Sequence, residues 1–178
     1  YITESGSDDF DWNKVIVIGG KPASYLTRKD NNVFDDPHGR ILALNTKTDE
    51  LSVLIEGGVI SGEDAFSSPD GLATARLNGE DYLVLCEDII GTGRGRVSTA
   101  AAEAGEKYNE VYFLKLGVEK PTRNDLIRFS VGPRGCEQTG PIFTPDYKTM
   151  FISVQSPDKN NPEPYNRTNV VAITGIFE

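Results

Sequence analysis

The sequence predicts an all-β protein, and within that class a partial or C-terminal portion of a β-propeller built of antiparallel hairpins. Three observations support this prediction: short apolar segments of strand length, turn-forming residues between them, and almost no helical periodicity. The hairpins recur roughly every 25 to 40 residues, and a propeller blade has about 40 residues in four strands. The 178 residues therefore supply about four blades at most. A β-sandwich is the alternative architecture.

Each predicted strand is a short apolar or alternating run that ends at turn-forming residues. The run Ile41–Leu44 is apolar throughout, which is typical of a strand buried on both faces. The pair Asn78-Gly79 is a strong hairpin signal, because both residues tolerate the positive φ of the tightest turns. The predicted strands are Lys14–Ile18, Arg40–Asn45, Glu50–Ile55, Leu72–Arg76, Asp81–Leu85, Glu110–Leu116, Asp125–Ser130, Gly140–Thr144, Thr149–Val154 and Val170–Ile176.

Two similar segments, Ser68–Gly71 (SPDG) and Thr144–Tyr147 (TPDY), are interpreted as one device used twice. In each, proline sets φ for a tight turn and the aspartate binds its own backbone. We therefore predict a structural role for Asp146, which precedes the strand at Thr149–Val154.

The domain organisation follows from the same pattern. We expect residues 1–178 to form a single propeller segment of a larger propeller, with a loop or short helix inserted at 92–108. A chain that begins at Tyr1 is a processed protein, a fragment or part of something larger. The glycine-rich segment GTGRGRV lacks both the Walker ending and the GxGxxG spacing, so it does not indicate a nucleotide site.

Charge and composition exclude several partners. The net charge is −9, which argues against binding to nucleic acid or to anionic membranes, since both recruit cationic surfaces. No apolar run has the length of a membrane-spanning helix. Two cysteines, Cys86 and Cys136, either form one disulfide in an exported protein or stay reduced in the core.

Carboxylates are the plentiful reactive groups. The single histidine, His38, gives little material for a catalytic triad or a zinc site. Acidic residues at predicted strand ends would converge on the channel of a propeller, where they repel one another unless they bind a hard cation such as Ca²⁺. The alternative is that they cap turns or lie on a solvated rim. These acidic residues are Asp70, Glu87, Asp88 and Glu137.

Three segments, in this order, resemble the PhoX-type alkaline phosphatase family. The segment Val131–Asp158 resembles the family's C-terminal signature, with its C/A-E-x-T-G element, its F-S/T-P-D turn and its Q-x-P element. Phe66–Gly91 is similar to the family's S-P-D strand pair and the acidic corner that follows it, and Asp36–Asn45 to its G-x-I strand. Together they cover most of the chain.

The resemblance implies a longer, monomeric, exported (periplasmic or extracellular) propeller that hydrolyses phosphomonoesters with Ca²⁺ and Fe³⁺. An organelle lumen is the alternative location. Carried over to this sequence, the family's metal ligands would be Glu137 first and Asp70 second, with Glu87 and Asp88 as further candidates. Cys86 and Cys136 lie in other motifs than the family's metal-bridging cysteine, so neither is given that role. Catalytic residues stay unassigned.

A function from a different class is also consistent with the sequence. The chain would then be a non-catalytic, structural or extrinsic propeller subunit of a larger assembly. In either case the partner is the remaining part of the propeller or another chain. A carbohydrate-binding β-sandwich is a third alternative, weakened by the single tryptophan, Trp12.

Overall fold

The structure, a computed structural model, describes residues 1–4, 38–60, 63–64, 66–88 and 108–175. The predicted strand Lys14–Ile18 and residues 92–107 of the predicted insertion lie outside these ranges. Within them, one 3-10 turn (Arg123–Asp125) is the only helical element. The strands are β1 (Ile2–Glu4), β2 (Arg40–Asn45), β3 (Glu50–Glu56), β4 (Val59–Ile60), β5 (Glu63–Asp64), β6 (Pro69–Leu77), β7 (Glu80–Glu87), β8 (Glu110–Lys115), β9 (Leu126–Val131), β10 (Glu137–Phe143), β11 (Thr149–Gln155) and β12 (Asn169–Thr174).

The strands form three blade-like sheets and one small ribbon, and every pairing is antiparallel. The first blade has the order β1-β2-β3, the second β6-β7-β8-β9 and the third β10-β11-β12, while β4 and β5 pair with each other. Among the described strands, neighbours in each sheet are also successive along the chain, which is the meander of a propeller blade. The predicted fold class, a portion of an all-β propeller, is confirmed.

The second blade lies between the other two, and its central strands β7 and β8 are buried on both faces. Alternate side chains of a strand point to opposite faces, so these two strands contribute to two separate cores. Facing the first blade is a core of Ile41, Ile55, Phe66, Leu83, Leu85, Tyr112, Leu114 and Leu126. Facing the third blade is a core of Ala75, Val84, Cys86, Val111, Phe113, Met150 and Ile152.

The outer faces of the first and third blades carry exposed apolar side chains. On the first blade Leu42 pairs with Val53 and Leu44 with Leu51, and the last three of these four residues are exposed. On the third blade, Ile142 lies opposite Phe151, and Ile142 is 63% exposed. These faces are the ones that further blades would cover in a closed ring.

The two hairpin signals behave as the sequence predicts. Asn78 has φ of 52° and Gly79 has φ of 80°, the pair of positive values that a type I′ turn requires. The Thr144–Tyr147 segment turns β10 into β11, and the Tyr147 amide donates to the Thr144 carbonyl at 2.8 Å. Asp146 Oδ1 accepts hydrogen bonds from the Thr144 hydroxyl at 2.6 Å and from the Lys148 amide at 3.1 Å.

The interpretation of Ser68–Gly71 as the same turn is wrong. Ser68 has φ of 49°, and the chain enters β6 directly at Pro69. The Ser68 amide donates to the His38 carbonyl and the Ser68 carbonyl accepts from the Asp88 amide, both at 2.8 Å. Because these bonds reach the residues just before β2 and just after β7, the segment joins two blades instead of closing a hairpin.

Strand β10 begins three residues earlier than predicted, at Glu137 in place of Gly140. The pairing with β11 shifts register between Thr139 and Ile142, and Gly140 has φ of 61°. Gly140 and Pro141 therefore form a bulge inside one strand, where the sequence suggested a strand start. Glycine and proline occur at such bulges because one tolerates positive φ and the other has no amide to donate.

Both cysteines are buried and free, so the alternative of reduced core residues is the one the structure has. No helix in the described part of the chain combines the length and apolar character needed to span a bilayer.

Candidate metal centre

The first strands of the three blades, β1, β6 and β10, lie near one another, with β6 in contact with both of the others. Strand β10 lies against β6 and β7, and β1 lies against β6. A Cβ on Gly71 would stand 3.3 Å from Pro141 Cδ and 3.4 Å from the Gly140 amide nitrogen. Glycine at position 71 thus allows β6 and β10 to approach closely. Both strands depart from regular pairing here, with register shifts between Pro69 and Leu72 and between Thr139 and Ile142.

Asp70 occupies the irregular start of β6 and is exposed. Its carbonyl accepts a hydrogen bond from the Thr3 hydroxyl of β1 at 3.1 Å. The residue therefore stands where the first and second blades join, next to the strand that carries Glu137. β-bulges often orient side chains next to functional sites in this way.

Glu137, at the start of β10, is half-buried. The pKa of Glu137 is raised above its usual range, mainly by burial. The charge of Asp88, a side-chain hydrogen bond to Asp88 and the charge of Asp70 add to this rise, in that order. A side-chain hydrogen bond from Thr139 acts in the opposite direction on that pKa. The structure thus brings three of the four predicted site residues together. We call Asp70, Asp88 and Glu137 the open acidic cluster.

Glu87 has different surroundings, although it precedes Asp88 directly. Its side chain is 1% exposed. Oε1 accepts the Ser67 amide at 2.7 Å and Oε2 accepts the Glu110 amide at 2.9 Å. Each oxygen of the Glu87 carboxylate therefore already accepts a backbone hydrogen bond. Its role as a metal ligand stays a prediction, and its contacts favour holding the chain together.

Sequence reasoning did not identify Glu110, a second buried carboxylate. It is 1% exposed and accepts hydrogen bonds from the Tyr112 hydroxyl and the Arg128 guanidinium. Tyr112 lies opposite Arg128 in the β8–β9 pairing. The signal in the sequence is the period-two spacing of Glu110 and Tyr112, which places both on one strand face. We call Glu87, Glu110, Tyr112 and Arg128 the buried acidic network.

The surroundings of both cysteine thiols raise their pKa values. Burial, and then the charges of Asp70, Glu137 and Glu87, raises the pKa of Cys86 far above its usual range. Burial raises the pKa of Cys136 to about 11. With these raised pKa values, both thiols are protonated near neutral pH in the absence of metal. The thiolate is the form that binds metal.

The donor chemistry of the open acidic cluster fits a hard cation. Ca²⁺ takes six to eight oxygen ligands, which carboxylates supply. In the described ranges, however, no group of three or more His, Cys, Asp or Glu side chains is arranged to hold a metal ion. The three carboxylates therefore match a hard cation in donor type, but they do not form a metal site by themselves.

The sheets are antiparallel meanders, and carboxylates lie where β1, β6 and β10 approach one another. This arrangement defines a β-propeller with acidic residues at its centre. The sequence matches the family of alkaline phosphatase PhoX over residues 7–158, and the chain belongs to this family. Among solved structures, it is similar to Pseudomonas fluorescens PhoX in complex with vanadate, a transition state analogue. The two share 28% sequence identity with a TM-score of 0.56, over 79% of this chain and 27% of the Pseudomonas chain. No curated protein matches the sequence.

Proposed function

We propose that the chain is part of a metal-dependent phosphomonoester hydrolase and that it supplies carboxylate ligands to the metal centre. The observation that carries the proposal is the open acidic cluster at the close approach of β6 and β10, where burial first, and then Asp88 and Asp70, raise the pKa of Glu137. Neighbouring like charges favour a bound cation, which removes their repulsion. Membership of the alkaline phosphatase PhoX family supports the reaction class.

In this proposal Glu137 is the first ligand, Asp70 the second and Asp88 the third, while Glu87 holds the backbone of the neighbouring strands. The ions are Ca²⁺ and Fe³⁺, by analogy with the family that the sequence resembles. When bound, such cations neutralise the charge of a phosphate and lower the pKa of a coordinated water. The chain's own contribution is to fix the three carboxylates on β6, just after β7 and on β10.

A phosphate ester is the proposed substrate class. The similar Pseudomonas protein binds vanadate as a transition state analogue, and vanadate imitates a phosphoryl group in transfer. The chain spans 27% of the length of that protein, so the activity requires further donors. The exposed apolar faces of the first and third blades support a second part of the proposal, that they pack against further blades. An exported location completes it, and rests on the family alone.

Calcium titration by calorimetry on the wild type and on Glu137→Gln tests the ligand assignment. We expect the wild type to release or absorb heat on binding and the variant to lose most of that signal. Asp146→Asn is a matched control, since Asp146 is an exposed acidic residue in the β10–β11 turn. Equal binding by the wild type and Glu137→Gln would remove Glu137 from the site.

The second candidate function is a non-catalytic propeller subunit. It is favoured by the incomplete set of metal donors in the described part of the chain. Hydrolysis of p-nitrophenyl phosphate by the full-length protein, with added Ca²⁺ and Fe³⁺, separates the two functions. Activity that disappears in Glu137→Gln supports the hydrolase, whereas calcium binding without any activity supports the subunit.

A further inference from the structure

Gln155 is the direct cross-strand neighbour of Glu137. The two residues face each other in the β10–β11 pairing, and Gln155 Nε2 donates to Glu137 Oε2 at 3.1 Å. Gln155 is itself exposed. Residues opposite each other on antiparallel strands are close enough for such side-chain pairs, so the backbone pairing itself brings the amide to the carboxylate.

The end of β11 is held in place where Gln155 stands. The next residue, Ser156, has φ of 51°, and its amide donates to the Thr168 hydroxyl at 3.1 Å. On the other side of the pair, the Asp158 amide donates to the Arg134 carbonyl at 3.0 Å, which ties the loop after β11 to the segment before β10. The Gln155 amide therefore projects from a strand end whose backbone is fixed.

The amide is the chemically suitable donor for this position. A lysine or arginine would hold the carboxylate but would also repel a cation, and an acid would add to the repulsion among the carboxylates. A neutral amide donates to one oxygen and leaves the charge of Glu137 available. Thr139, on the same face of β10, makes a second side-chain hydrogen bond to Glu137 and is neutral as well.

We propose that Gln155 is a positioning residue, which holds Oε2 of Glu137 so that Oε1 is presented to a cation in the open acidic cluster. This inference rests on the proposed metal role of Glu137. Residues that orient metal ligands through hydrogen bonds typically change metal affinity by about 10-fold to 100-fold when they are replaced. Gln155 would therefore affect metal affinity without touching the metal.

The test is calcium titration by calorimetry, with the melting temperature in EDTA measured beside it. We expect Gln155→Met, which keeps the length of the side chain but lacks the donor, to weaken calcium binding about tenfold with an unchanged melting temperature in EDTA. Gln155→Asn keeps the amide on a shorter side chain and should weaken binding in the same direction. It also replaces the methionine variant if that variant does not fold. Thr174→Val, at an exposed strand end of β12, is the control and should leave both quantities unchanged.

The outcomes separate this inference from the function on which it rests. No calcium binding by the wild type would overturn the metal role of Glu137 and the inference with it. Binding by the wild type that is equalled by Gln155→Met overturns the positioning role alone. A melting temperature that falls in EDTA together with the affinity would make Gln155 a structural residue and would also overturn the inference.

Discussion

Glu87 and Asp88 are adjacent in the chain, yet the groups around them differ: hydrogen-bond donors surround Glu87, whereas other carboxylates lie beside Asp88. Glu87 is part of the buried acidic network, in which its two carboxylate oxygens accept two backbone amides and Glu110 is paired with Arg128. Asp88 is part of the open acidic cluster, in which burial first and then the charge of Asp88 raise the pKa of Glu137.

The difference shows that the donors around a carboxylate decide its role. A buried carboxylate whose oxygens are occupied by fixed donors stabilises the fold and has little left to offer a ligand. A carboxylate surrounded by other acids is held in an unfavourable state that a cation relieves. The carboxylates of the two regions are alike in type and differ in the groups around them, so substitutions in each region should have different effects.

The largest effect is expected in the buried network. Glu87→Ala leaves the amides of Ser67 and Glu110 buried without their acceptor, and each such loss costs about 1 to 3 kcal/mol. We expect the free energy of unfolding in urea to fall by about 3 to 5 kcal/mol. Glu119→Ala, in an exposed turn, should change it by less than about 0.5 kcal/mol. Similar values for the two variants would contradict the structural role of Glu87.

Calcium should stabilise the protein through the open cluster. At a free concentration of 100 times Kd, a ligand that binds only the folded state adds about 2.7 kcal/mol. We expect this gain for the wild type in urea unfolding and its loss in Glu137→Gln. In the absence of calcium, the same variant should be at least as stable as the wild type, because a repelled carboxylate has been neutralised. If Glu137→Gln strongly destabilises the protein without calcium, Glu137 has a structural role like that of Glu87.

Asp146 provides an intermediate case, an exposed carboxylate whose donors are local. The Thr144 hydroxyl and the Lys148 amide hold its pKa below the usual range. We expect Asp146→Ala to lower the free energy of unfolding through the lost turn bonds, by less than Glu87→Ala does. Calcium affinity measured by calorimetry should stay the same. A loss of calcium affinity at constant stability would move Asp146 into the metal centre.

The smallest effect is a pH dependence in the absence of metal. The pKa of Glu137 is higher in the folded state than in the unfolded state, so the folded state binds more protons in the interval between the two values. Stability from this residue is therefore present below the unfolded pKa and is lost as pH rises through the folded pKa. We expect the advantage of Glu137→Gln over the wild type to grow as pH rises above about 4.5 and to stay below about 1 kcal/mol. An advantage that shrinks over this interval would contradict the raised pKa.

Local signals in the sequence predicted most of the hairpins. Apolar runs such as Ile41–Leu44 and turn pairs such as Asn78-Gly79 determine strands and turns from residues close in the chain. The family motifs also placed Asp70, Asp88 and Glu137 at strand ends, and the structure brings these three residues together.

The separation of Glu87 from Asp88 could not be predicted, since its causes are distant in sequence. The amide donors of Glu87 lie 20 and 23 residues away, and only the packed blades bring them to its oxygens. The error at Ser68–Gly71 has the same origin. Its letters resemble those of a local turn, but its hydrogen bonds go to His38 and Asp88.

The two-sided burial of β7 and β8 has a consequence for how the described blades come apart. Leu83 and Val84 are consecutive residues that pack into different cores, so neither core can open without disturbing the strand shared with the other. The three blades should therefore unfold in a single cooperative event. In amide hydrogen exchange, the protons of β7 and β8 would be the last to be replaced, at a rate set by global unfolding.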